Sequence, residues 1–210
     1  MKHMGISITV IATLTFTAIN ITNLWHSKQI ANLSKEEEAY IVQIENEKVD
    51  LLKADSIYDY VIGYLSYTNP QFITNELPSF AKLTVQYARE FKINPYQCLS
   101  ICQIENGFNL HRVGGCGEQG PAQLMPGTWK LYYKKFGYRM EDFYKWECNY
   151  RVAMAHFAEL LRQNKDVMKA IGEYNGGGRW AQIEASRNYV QRFKRANQWI
   201  SQLKSTREKQ

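Results

Sequence analysis

From Gly5 to Trp25 the chain carries no charged residue, and Ile6, Ile8, Val10, Ile11, Leu14, Phe16, Ile19, Ile21 and Leu24 are diluted by Thr9, Thr13, Thr15, Thr17, Asn20, Thr22 and Asn23. About 20 uncharged, mostly apolar residues suffice to cross a bilayer as a helix. The run therefore reads as an uncleaved membrane anchor, with a cleaved secretory signal and a buried apolar helix as the alternatives. A cleavage site would want small residues at the first and third positions before the cut, and Ala18 is preceded at that spacing by Phe16. Either of the first two readings exports the rest of the chain.

A second pattern follows. From Ser34 to Tyr67 there is no Pro and only Gly63, and apolar residues recur at three and four: Leu33, Tyr40, Ile44, Leu51, Ala54, Tyr58, Val61 and Leu65. This spacing predicts a long amphipathic helix, opened by Ser34 as N-cap with Glu37 three residues on. The helix serves either as a stalk or as a layer packed on the following domain. Glu37 and Glu47 fall on the seam where a coiled coil wants apolar side chains. Tyr67-Thr68-Asn69-Pro70 then breaks the pattern. The expected organisation is an anchor or signal over 1–25, a helical stalk over 26–69 and a globular domain over 70–210.

Within that domain Phe80, Leu83, Tyr87 and Phe91 form a helical stripe, and Asn94-Pro95 reads as an N-cap followed by Pro at the first helical position. The helix so opened carries Leu99, Ile101, Cys102 and Ile104 and stops at Asn106-Gly107. Gly114, Gly115, Gly117 and Gly120 make a loop that no regular element tolerates. Further helical segments are predicted over Trp129–Phe136, Val152–Leu161, Val167–Tyr174 and Tyr189–Leu203. No strand alternation of any length occurs, so the fold class is mainly α.

Composition sharpens this picture. Of 210 residues 45% are hydrophobic and 22% charged, which excludes a disordered or low-complexity chain. The net charge of +6 is unevenly placed: residues 1–69 hold 5 basic and 8 acidic side chains, residues 70–210 hold 21 and 12. The basic surface suits an anionic polymer such as nucleic acid, acidic lipid or a carboxylate-bearing cell wall. Nucleic acid is set aside: Lys130, Lys134, Lys135, Arg139, Arg192, Lys194 and Arg195 are interleaved with aromatics, but no helix-turn-helix, zinc-finger or RNP spacing appears.

Cys98, Cys102, Cys116 and Cys148 would sit in an oxidising compartment, where an even count fits two disulfides. Cys98 and Cys102 share a helix face, so each is expected to reach Cys116 or Cys148 rather than the other. Three pairings are open, and four buried thiols are the alternative. No metal is expected, since no Cys-x-x-Cys occurs and His3, His26, His111 and His156 are scattered; nor does any motif imply a cofactor.

One carboxylate stands out. Glu105 ends an apolar helix just before Gly107 and the glycine-rich loop. Burial there would disfavour its ionised form and raise its pKa toward neutrality, as a general acid in glycosidic cleavage requires.

The residues around it carry a resemblance. Gln103-Ile104-Glu105-Asn106-Gly107-Phe108-Asn109, then Gly117-Glu118-Gln119-Gly120-Pro121-Ala122-Gln123-Leu124-Met125-Pro126-Gly127-Thr128-Trp129, are similar to the signature of the soluble-type lytic transglycosylases and the related goose-type lysozymes. Ala170-Ile171-Gly172-Glu173-Tyr174-Asn175-Gly176-Gly177 and Ser186-Arg187-Asn188-Tyr189-Val190 follow in that family's order. The resemblance covers roughly Pro78 to Leu203. Asn106 stands where the family has Ser, Pro121-Ala122 where it has Leu-Met, and Gly176 where it has Ala.

This resemblance implies a lysozyme-like catalytic domain in which Glu105 is the single acid/base, Gln123 and Met125 line the saccharide cleft, and Tyr174, Asn175 and Tyr189 line the catalytic pocket. The implied reaction cleaves the β-1,4 bond between N-acetylmuramic acid and N-acetylglucosamine and closes a 1,6-anhydro ring. Hydrolysis would want a second acid; Glu118, Asp142 and Glu173 are available but match no motif position. A hydrolysing muramidase and an inactive wall-binding module are the alternatives. Implied partners are peptidoglycan strands, the membrane through the N-terminal helix, and a secretion, conjugation or phage machine. The implied location is the cell envelope, outside the cytoplasm, with secretion or carriage on a phage as variants.

Overall fold

The computed structural model describes residues 8–207. Seven α-helices account for most of them: α1 (Ile8–Thr68), α2 (Leu77–Phe91), α3 (Pro95–Asn106), α4 (Pro126–Tyr132), α5 (Trp146–Asn164), α6 (Val167–Gly176) and α7 (Glu184–Arg207). Among the described residues the only β-type pairing is two isolated bridges, Val113 with Gln119 and Gln119 with Leu124.

The chain divides into two units, Met1–Val49 and Asp50–Gln210. In the first, Leu24, Trp25, Leu33, Tyr40, Ile41, Val42, Ile44 and Val49 are all exposed. Ser34 lies inside α1 and does not open a helix. An N-cap residue starts a helix only where the preceding chain disfavours one, and no Gly or Pro occurs between Ile8 and Ile62. The expected membrane span over 5–25 begins outside the described residues. Among the described residues no helix is long and apolar enough to cross a membrane.

The second unit starts at Asp50, some five turns before the break at Asn69. Ala54, Ile57, Val61 and Leu65, spaced at three and four, are buried, so this stretch of α1 is a wall of the domain rather than a stalk. Asp50 pairs with Arg89 of α2, and Tyr60 donates to Gln103 Oε1 of α3 at 2.7 Å.

α3 is the central element. Asn94 Oδ1 accepts from Tyr96 N at 2.9 Å, Pro95 opens the first turn, and Gly107 closes the helix at φ +63°. Leu99, Ile101, Cys102 and Ile104 are buried, with α3 packed on α2 and α7, and α5 on α2 and α6. Phe108, also left-handed at φ +66°, turns its fully buried ring into an aromatic cluster, 5.4 Å from Tyr64, 6.4 Å from Tyr60 and 6.1 Å from Phe80. A cluster of this size gains from area burial and from edge-to-face geometry, and it fixes the exit of α3.

The cysteines correct the disulfide expectation, since all four are free. Cys98 and Cys102 point into the core from α3, where Cys98 Sγ donates to Asn94 O at 3.4 Å, while Cys116 is exposed in the glycine-rich loop. Thiols committed to the interior of a helix cannot meet a partner on an exposed loop without moving backbone.

Candidate active site

α3 delivers Glu105 one residue before its end, half-buried beside the glycine-rich loop. Its Oε1 accepts a hydrogen bond from Tyr189 Oη of α7 at 2.6 Å. Desolvation pushes the Glu105 carboxyl up to about 7 and outweighs the opposing Tyr189 bond and the Arg192 and Arg112 charges; the Glu118 carboxylate pushes the same way as desolvation. A carboxyl balanced near neutrality can give up and take back a proton at ordinary pH. Tyr189 is almost fully buried, and desolvation holds its phenol well above the usual range, so it stays a donor.

The loop beside Glu105 is built by backbone bonds. Gly114 N donates to Glu118 O at 2.8 Å, Gly120 N to Arg112 O at 2.9 Å, and Gln119 and Leu124 exchange bonds at 3.0 and 2.9 Å. Gly120 is needed twice over: its φ is +76°, and a Cβ there would meet Asn149 Oδ1 at 2.6 Å. Asn106, in the family's serine position, ties the helix end to this loop. Its Nδ2 donates to Asn109 O at 3.0 Å and Gly120 O at 2.8 Å, and its Oδ1 accepts from Asn109 N at 3.0 Å. One amide thus meets three backbone groups, which a shorter hydroxyl could not do.

Tyr174 of α6 lies close enough to Glu105 to feel its charge and donates to Ala122 O at 2.8 Å, closing the loop from the other side. Gln123 sits at φ +46° with its amide turned back on the loop, Nε2 donating to Gly120 O at 2.9 Å and Arg112 O at 3.2 Å. Met125 stands 45% exposed as the N-cap residue of α4, and Asn175 is exposed in the last turn of α6. The structure thus sets Tyr189 and Tyr174 beside Glu105, has Gln123 lock the loop, and leaves Met125 and Asn175 at the surface.

Gly176 also has a reason to depart from alanine. A Cβ there would collide with Ser186 Oγ, and a Cβ at Gly172 with the Trp180 indole. The absence of two side chains lets α6 and the start of α7 close together, bringing the Tyr174 and Tyr189 blocks into one place.

One neighbour of Glu105 is not evident from the motifs. Arg192 donates to Ile104 O, one residue before Glu105; its position one turn after Tyr189, hence on the same helix face, is the signal that would have found it. Glu118, one of the carboxylates the sequence makes available as a second acid, is held by Cys116 N donating to its Oε2 at 2.9 Å. Among the described residues no group of three His, Cys, Asp or Glu side chains is placed to hold a metal ion.

Comparisons with known proteins bear on this geometry. The family model for the transglycosylase SLT domain matches residues 82–198, more than half of the chain. No curated protein matches the sequence. Among solved structures, an inactive Glu-to-Gln mutant of the lytic transglycosylase Slt from Pseudomonas aeruginosa superposes with a TM-score of 0.54 at 21% identity, over 71% of this chain. The present chain spans only 29% of that protein's length. The helical order, the loop that follows α3 and the match across 82–198 agree: the chain belongs to the transglycosylase SLT domain family.

Proposed function

We propose that this chain is a peptidoglycan lytic transglycosylase that cleaves the β-1,4 bond between N-acetylmuramic acid and N-acetylglucosamine, with Glu105 as its single acid/base. The observation that carries the reading is the 2.6 Å bond from Tyr189 to a half-buried carboxyl that burial pushes up to about 7. Protonated Glu105 donates to the leaving glycosidic oxygen as the bond to muramic C1 breaks. The resulting carboxylate takes the proton of the muramic C6 hydroxyl, whose oxygen bonds to C1 and closes the 1,6-anhydro ring. No water is consumed, so a second carboxyl is not required.

Tyr189 orients the carboxyl and Tyr174 offers a ring wall to the sugar, while the exposed Met125 and Asn175 contribute to the rim of the saccharide groove. Gln123 acts through the loop it locks. Such a substrate places the work in the cell envelope, and the uncharged segment 5–25 acts as the export signal.

Hydrolysis is the second reading, favoured by one observation: the Glu118 carboxylate is near enough to raise Glu105. Mass spectrometry of digested sacculi separates the two, because an anhydro end is one water lighter than a hydrolysed end. Anhydro ends from wild type and none from Glu105→Gln are expected. Hydrolysed ends from wild type would overturn transglycosylation, and products from Glu105→Gln would remove Glu105 from the mechanism.

A further inference from the structure

A groove apart from Glu105 runs along the glycine-rich loop. Val113 and Gln119 of the loop, Lys130 of α4, and Met140, Phe143 and Tyr144 of the short 3-10 helix Met140–Tyr144 are among its walls, and its volume is about 770 Å³. Sites for small ligands span about 300–1,000 Å³, so the groove has room for several linked groups. None of Glu105, Tyr174 and Tyr189 lines it.

Its chemistry says what it holds. Gln119 is only 8% exposed and is fixed through its backbone, donating to Leu124 O at 3.0 Å and accepting from Leu124 N at 2.9 Å. Among the described residues its side-chain amide has no hydrogen-bond partner, and the polar atoms of that amide are not sealed away from the groove. A carboxamide offers a donor and an acceptor side by side, the complement of a peptide group. Val113, Met140 and Tyr144 are exposed around the buried ring of Phe143, and apolar side chains left in water together mark an interaction surface. The uncommitted charge at the rim is positive. Lys130 has no ion pair among the described residues, whereas Glu141, the acidic group of the lining, is taken by Arg139 at 3.2 Å. Lys134 and Lys135 lie over the Tyr133 and Tyr132 rings instead.

We propose that this groove docks an extended acidic segment of a partner protein, with a main-chain peptide group on the Gln119 amide, an apolar side chain among Met140, Phe143 and Tyr144, and a carboxylate on Lys130. Recognition of an extended segment commonly divides in this way, main-chain bonds supplying affinity and side-chain pockets supplying specificity. A stem peptide of the wall is the lesser fit, because it hangs from the sugar held at Glu105, and that site has no share in the groove. Docking leaves Glu105 open, so the partner places the enzyme and is not its substrate.

Calorimetry on the full chain tests this with wild type, Gln119→Met and Lys130→Glu. The probes are an acetylated, amidated peptide alternating glutamate with leucine, its counterpart with lysine for glutamate, a free stem peptide released from sacculi, and a chitooligosaccharide. The acidic peptide is expected to bind wild type with a Kd below about 1 mM and more tightly than the other three. Its affinity should fall about three- to ten-fold in each variant, and the Lys130→Glu loss should shrink as salt rises. Lys130 is exposed, so its variant reads the groove even where Gln119→Met disturbs the loop. No binding of the acidic peptide up to about 1 mM, equal binding of the acidic and basic peptides, or an affinity that Lys130→Glu leaves unchanged overturns the proposal. Tighter binding of the stem peptide or of the sugar, weakened by the same substitutions, overturns it too and gives the groove to the wall. The product masses from digested sacculi bear on Glu105 alone, so the cleavage reading and the docking site stand or fall separately.

Discussion

Glu105→Gln tests the energetics of the site as well as its chemistry. Glu105 has a carboxyl pushed from 4.5 up to about 7. The folded state therefore holds a proton that the unfolded chain has released between those two values, and the native protein loses stability as pH climbs through that window. At about 1.4 kcal/mol per pKa unit the full cost is about 3 kcal/mol, an upper figure for a half-buried group. Glutamine keeps an oxygen to accept the Tyr189 hydroxyl and does not titrate. The variant should match wild type near pH 4, gain on it progressively from pH 4.5 to 7, and hold a constant advantage above that. For a unit of this size the advantage corresponds to a melting temperature about 6–12 °C higher at pH 8. Thermal and urea denaturation from pH 4 to 8.5, followed by tryptophan fluorescence, measure it directly. A difference between the two proteins that does not change with pH, or that narrows as pH rises, would refute the claim that burial holds this carboxyl neutral.

Two further outcomes follow from the same geometry. Tyr189→Phe removes the donor that opposes the upward push on Glu105, so the alkaline limb of the pH–rate profile should move to higher pH while kcat falls by about ten- to a hundred-fold, through loss of a charge-assisted bond of about 1.5–3 kcal/mol; an unmoved alkaline limb would exclude the contact from the mechanism. Gly120→Ala forces a Cβ toward Asn149 Oδ1 at a left-handed backbone position and should cost about 2–4 kcal/mol by denaturant titration; a loss below about 0.5 kcal/mol would show that the loop relaxes freely.

The helical class, the stop at Asn106-Gly107, the glycine-rich loop and Glu105 itself were legible in the sequence, because each depends on local chemistry. Side-chain periodicity, an Asn-Pro start and a left-handed glycine act within a few residues of themselves. Elevated proton affinity for Glu105 followed from its place at the end of an apolar helix. By contrast, the seam running through Leu33, Tyr40, Ile44, Leu51, Ala54, Val61 and Leu65 reads as one uninterrupted stripe. Only the packing decided that its part from Ala54 onward is covered while Leu33, Tyr40, Ile44 and Leu51 remain exposed, since periodicity records that a face is apolar and not what covers it. The cysteines are a similar case: their number and compartment suggested pairing, but helix orientation sent Cys98 and Cys102 inward and left Cys116 on the loop. The contacts around Glu105 likewise join residues far apart in the chain, Tyr189 to Glu105, Tyr174 to Ala122 and Arg192 to Ile104. Such pairs are set by how α3, α6 and α7 cross, which depends on volume and close approach, down to the missing methyl groups at Gly172 and Gly176.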